Sequence, residues 1–107
     1  MAISAIDYVR FLSALDRGLI IPKGLVEMMK GEPKNRLGFD TKVDGGAGEY
    51  FWKNGGCPDY EGKGRGCSTI AMVFPGDTQL YITVNSTNNA SADLTTVASS
   101  AFDAALR

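Results

Sequence analysis

The sequence predicts an α+β fold: an antiparallel meander of roughly four strands, with two N-terminal helices and a long C-terminal helix packed on it. Apolar residues recur at helical spacing near both ends of the chain. Between them lie short alternating or apolar runs, punctuated by turn residues. Nine of the thirteen glycines fall between Gly45 and Gly76, so the special backbone geometry is expected in that middle region.

Residues 4–17 are expected to form the first helix. Ser4 is an N-cap, with Asp7 at the capping-box position and Ile3 and Tyr8 spaced for a hydrophobic staple. Val9, Leu12 and Leu15, with Phe11, make its apolar stripe, and Gly18 ends it. Residues 22–30 form a second helix opened by Pro22, with Leu25, Met28 and Met29 as the buried side and Gly31 as the stop.

Leu37 to Val43 alternates as a strand, Asp44 to Gly48 is a hairpin-type connection, and Glu49 to Lys53 is the next strand. The aromatic run Tyr50, Phe51 and Trp52 points to cover on both faces. A loop over 54–66 leads to the strand Cys67 to Phe74, the turn Pro75-Gly76-Asp77-Thr78 and the strand Gln79 to Val84. After a polar link, Ser91 or Asp93 caps the last helix. Its stripe is Leu94, Val97, Ala101 and Ala105, flanked by Ala98 and Phe102.

Composition narrows the function. At 107 residues the chain reads as one domain, with a formal charge of -1 and a pI of about 5.3. The absence of a basic excess argues against a dedicated nucleic-acid partner, and no apolar run suits a membrane span. Without histidine, the commonest general base and zinc ligand are missing, and no metal site is expected. Cys57 and Cys67 flank the glycine-rich loop. Two readings stand: a disulfide closing its neck, or two free thiols on adjacent strands. The disulfide would imply an oxidising, secreted or periplasmic location.

The loop Gly55 to Gly66 has the look of a phosphate cradle but departs from it in detail. A P-loop ending at Gly62-Lys63 needs glycine at Cys57 and serine or threonine at Gly64. No nucleotide or other cofactor is therefore expected. Asp40, Asp44, Asp59, Glu61 and Asp77 lie near loops without the spacing of a calcium site.

An ordered series of motifs remains. Ser4-x-x-Asp7-Tyr8-x-x-Phe11-Leu12-x-x-Leu15 is followed by Gly18-x-x-Ile21-Pro22 and by Leu37-Gly38-Phe39. Then come Trp52-Lys53-Asn54-Gly55-Gly56, Phe74-Pro75-Gly76-Asp77, a strand ending Val84-Asn85-Ser86, and a terminal helix. Over nearly its whole length the chain resembles the C-terminal part of the serine β-lactamase-like superfamily. That group includes class C β-lactamases, D-alanyl-D-alanine carboxypeptidases and related esterases.

The family carries Lys-Thr-Gly or His-x-Gly on the corresponding strand, and Lys53-Asn54-Gly55-Gly56 matches it with Asn for Thr. The resemblance implies that Lys53 gives positive charge to the substrate carboxylate, Asn54 hydrogen-bonds the substrate and Gly55 admits close approach. It implies that the Gly56 N–H is an oxyanion donor. It implies a small-molecule acyl substrate or a peptide.

The chain departs from the pattern at the nucleophile. Ser4, Ser13, Ser68, Ser86, Ser91, Ser99 and Ser100 all lack lysine three residues later, so there is no Ser-x-x-Lys. The family's Tyr-x-Asn or Ser-x-Asn loop is expected to be missing as well, since none of Tyr8, Tyr50, Tyr60 and Tyr81 begins a Tyr-x-Asn. The expectation is a C-terminal segment of a larger serine hydrolase, inactive alone, with a complementing chain or a second copy as partner. The alternative is a non-catalytic peptide- or protein-binding module on the same scaffold.

Overall fold

A computed structural model describes residues 3–31, 37–46, 48–57, 62, 66–85 and 94–106. The expected α+β architecture is present. The helices α1 (Ala5–Asp16) and α2 (Lys23–Lys30) precede the strands β1 (Thr41–Gly45), β2 (Gly48–Cys57), β3 (Cys67–Phe74) and β4 (Thr78–Val84), and helix α3 (Leu94–Ala105) closes the order. The strands form one antiparallel sheet in the order β1-β2-β3-β4.

Local chemistry accounts for the helix limits. The Ser4 hydroxyl accepts the Asp7 N–H at 3.1 Å and donates to the Asp7 carboxylate at 2.7 Å. At the other end Leu19 N–H donates to the Ala14 carbonyl at 2.8 Å and Gly18 N–H to the Leu15 carbonyl at 2.9 Å. These two bonds make a Schellman closure, which satisfies carbonyls that the helix leaves open. The expected capping of α3 by Ser91 or Asp93 lies outside the described residues.

Strand alternation sorts the core into two layers. Tyr50, Ile70, Met72 and Phe74 turn to one face and pack with Ala98 of α3, joined by Trp52, Leu80, Ile82, Leu94 and Phe102. The Phe74 and Phe102 rings stack at 4.0 Å between centroids. The opposite face carries Phe51, Ala71 and Val73 beneath α1 and α2, and Tyr81 of β4 stacks on Tyr8 of α1 at 4.4 Å. Ile70, Met72 and Val26 are the most completely buried side chains, each stabilising the fold by about 1.5–3 kcal/mol through removal from water.

Both outer layers correct the helical faces expected from the sequence. In α2 it is Val26 that is fully buried, while Leu25 and Met28 are exposed. Val26 and Lys30 share one side of that helix, and Lys30 pairs with Asp16 of α1 at a nearly buried site. The face turned inward is therefore the one carrying Val26 and Lys30, not the Leu25/Met28 stripe. In α3 the inward line is Leu94, Ala98 and Phe102, and Val97 is exposed. The alanine at 98 lets the helix approach the large side chains of the sheet.

Strand limits shift as well. The first strand, expected at 37–43, begins at Thr41, because Gly38 has φ +86, outside the extended region. It then runs to Gly45, which pairs with Gly48, so Asp44, Gly45 and Gly48, expected in the hairpin connection, belong to the paired strands. The second strand does not stop at Lys53. It continues through Asn54, Gly55 and Gly56 to Cys57, because β3 supplies partners for each of them: Ala71 for Lys53, Ile70 for Asn54, Thr69 for Gly55, Ser68 for Gly56 and Cys67 for Cys57.

Candidate functional site

The residues singled out by sequence lie in the second half of β2. The first half, Gly48 to Trp52, pairs with β1, whereas the second half, Lys53 to Cys57, pairs with β3 alone among the described residues. Among the described residues, no strand pairs with the other edge of that half. Asp40, just before β1, marks where pairing ends: its N–H donates to the Trp52 carbonyl at 2.8 Å. The next N–H on that edge, from Asn54, donates to the Asp40 carboxylate at 3.2 Å. Peptide groups alternate between the two edges of an antiparallel strand, so the Gly56 N–H points to the same open side.

Asp40 also accepts a hydrogen bond from Lys53 Nζ at 2.6 Å. This bond holds the Asp40 carboxyl below its ordinary value. Partial desolvation opposes it, while the Asn54 N–H and the Lys53 charge act in the same direction as the bond. The pair remains open to water, with side-chain exposures of 51% for Lys53 and 31% for Asp40. The ammonium is therefore already paired but still reachable.

Both glycines sit at close approaches. A Cβ at Gly55 would lie 3.0 Å from Thr69 Oγ1, the hydroxyl that donates to the Gly55 carbonyl at 3.2 Å. A Cβ at Gly56 would lie 3.0 Å from the Cys67 carbonyl oxygen, a backbone atom of the paired strand.

The structure brings some of the expected residues together and separates others. Lys53 and Gly55 belong to the α1/α2 face, opposite Ala71 and Thr69. Asn54 is opposite Ile70 and therefore belongs to the α3 face, so its side chain does not join that of Lys53. What Asn54 adds to the edge is its N–H. Lys53 also lines a pocket of about 160 Å³ with Tyr8, Phe11, Leu12, Met29 and Phe39. A larger open pocket, about 410 Å³, lies at the other end of β2 around Glu49, Asp16 and Lys30, away from Lys53 to Gly56.

Asp40 was not singled out by sequence beyond being one of several loop-proximal acids. The signal was its position immediately before the strand that pairs with Gly48 to Trp52, which becomes visible only once the hairpin register is known. Cys57 and Cys67 are free thiols and face each other as a registered pair. The loop acids Asp59 and Glu61, and Lys63 and Arg65, lie outside the described residues.

Chemically, the site is a strand edge where the Asn54 N–H is taken by Asp40 and the Gly56 N–H lies two residues further along, beside the Asp40–Lys53 pair. Among the described residues no three His, Cys, Asp or Glu side chains gather as a metal site, and no described helix is long and apolar enough to cross a membrane. No family model, no curated protein and no solved structure matches the chain.

Proposed function

We propose that this chain supplies the strand wall of a serine hydrolase of the β-lactamase-like, penicillin-recognising type. The reaction is acyl transfer on an amide, a β-lactam or an ester. The observation that supports this reading is the open half of β2, where the Gly56 N–H faces outward one step beyond the Asp40–Lys53 pair. An N–H fixed in a sheet loses nothing to reorganisation when negative charge develops on an acyl oxygen, and one such donor contributes about 3 kcal/mol to the transition state. Lys53 offers positive charge to a substrate carboxylate from the neighbouring position.

The nucleophile belongs to residues that this sequence does not contain, on a helix carrying Ser-x-x-Lys. The expected absence of the family's second loop does not hold for its Ser-x-Asn form. The one such triplet in the chain, Ser86-Thr87-Asn88, follows β4 and lies outside the described residues.

The test measures acylation by a fluorescent penicillin, and turnover of a chromogenic cephalosporin and a small ester. It uses this chain alone and mixed with a chain carrying a Ser-x-x-Lys helix. The expected result is no labelling alone and labelling of the added chain in the mixture, weakened by Lys53→Ala. Turnover by the isolated chain would refute the assignment of the nucleophile to another segment.

A second reading is a non-catalytic binding module. It is favoured by the same open edge together with the exposed apolar side chains Ile6, Phe11, Leu19, Ile20, Leu25 and Met28 on the helical layer. An extended peptide would add to β2 as a strand. Saturable peptide binding without acylation in any mixture would select it.

A further inference from the structure

Cys57 and Cys67 form the last registered pair of the β2–β3 ladder, at the neck of the loop that separates the two strands. Cys57 is exposed and Cys67 is half-buried, and both are free. Opposed residues in an antiparallel pair have Cα atoms about 4.5–5.5 Å apart, inside the range of about 4.4–6.8 Å that a disulfide accepts. The general spacing of opposed strand residues is thus compatible with a disulfide.

Three further features bear on what this pair does. The neighbouring pairs Gly56↔Ser68 and Gly55↔Thr69 hold the strand ends together whether or not the sulfurs are bonded. The Cys57 pKa is raised, by hydrogen bonding to Cys67 first and then by the Cys67 charge and slight desolvation. Among the described residues no third His, Cys, Asp or Glu joins the pair.

We propose that Cys57 and Cys67 are a reversible dithiol–disulfide site, oxidised by exchange with a small soluble disulfide of the glutathione type. The inference is independent of the hydrolase reading. In the first step the thiolate of one cysteine attacks a sulfur of glutathione disulfide and expels one glutathione thiolate, which takes a proton from water. The other cysteine, as thiolate, then attacks the protein sulfur of the mixed disulfide and expels the second glutathione. The two protein thiols are oxidised to one disulfide, and one glutathione disulfide is reduced to two glutathione molecules. Exposed disulfides of this kind are the readily reduced ones, so the ring over residues 57–67 opens again in a reducing pool.

The experiment equilibrates the whole chain in glutathione buffers from fully reducing to fully oxidising, quenches with acid, alkylates the free thiols and measures intact mass. The expected result is loss of both alkylation sites together, with no glutathione adduct retained and a cross-linked peptide joining Cys57 to Cys67. Both sites return on reduction. Cys57→Ser and Cys67→Ser chains should each instead retain one glutathione adduct. A stable adduct on the unmodified chain, a disulfide between chains, or full alkylation in every buffer would each overturn the proposal.

Discussion

Asp40 Oδ1 and Lys53 Nζ are joined by a 2.6 Å hydrogen bond across the end of the β1–β2 ladder. The bond lowers the Asp40 pKa in the folded chain. A lowered folded value means the carboxylate stabilises the fold above its unfolded value of about 3.9 and loses that contribution as pH falls through the folded value. Because both groups are partly exposed, the contribution is at most about 1 kcal/mol. Urea midpoints from pH 6 down to about pH 2 should therefore fall less steeply for Asp40→Asn than for the parent chain. Identical slopes would show that the pair adds nothing.

Gly55 and Gly56 should respond differently to alanine, although each new Cβ would meet an atom at 3.0 Å. At Gly56 the obstacle is the Cys67 carbonyl oxygen, held in the paired strand, and Gly56→Ala should destabilise by about 1–3 kcal/mol. At Gly55 the obstacle is the Thr69 hydroxyl, which can rotate away, so Gly55→Ala should have the smaller effect. Adding Thr69→Ala removes that hydroxyl. The double variant should then be more stable than the sum of the single effects, as read from denaturant unfolding.

The Lys30–Asp16 pair is far more enclosed, with side-chain exposures of 12% and 14%. Lys30 also lies 5.4 Å from the centre of the Phe51 ring and 3.8 Å from Glu27. Asp16→Ala strands the ammonium under the helices and should cost roughly 2–4 kcal/mol, less what Glu27 recovers. The double variant Asp16→Ala/Lys30→Met should recover much of that loss, because neither charge then remains enclosed. Additive losses in thermal unfolding would contradict a coupled pair.

The rotation of α3 makes a direct comparison possible. Val97 is 56% exposed and Val97→Ser should change stability by no more than about 0.5 kcal/mol. Ala98 is 5% exposed against Tyr50, Ile70, Met72 and Phe74, and Ala98→Leu should cost about 1–3 kcal/mol by overpacking. The reverse order would restore the apolar stripe through Val97.

Several elements were legible without the structure. The strand Cys67 to Phe74 has its expected limits, since a continuous apolar run ends at a Pro75-Gly76 turn. Ser4 caps α1 as its spacing with Asp7 requires. The aromatic run at Tyr50, Phe51 and Trp52 is covered from both sides, by α3 and by α2. Lys53, Gly55 and Gly56 lie within a strand rather than at its end.

Residues 54–57 read as a loop because asparagine and two glycines are weak strand formers, and pairing with β3 outweighs that weakness. The Leu25/Met28 and Val97/Ala101 stripes differ from the observed inward lines for a related reason. A short helix with apolar residues on two sides is oriented by what it meets.

Helix caps, glycine stops, the apolar run of β3 and the order of elements follow from the residues themselves, because each depends on neighbours within a turn or two. Tertiary contact decided the reach of β2, the inward faces of α2 and α3, the Asp40–Lys53 bond and the meeting of the two thiols. Those features join residues more than a few positions apart. For example, Lys53 and Asn54 meet Asp40 across separations of 13 and 14 residues. Such pairs form only when chain folding offsets the entropy of closing the intervening segment, and local propensity contains no term for that.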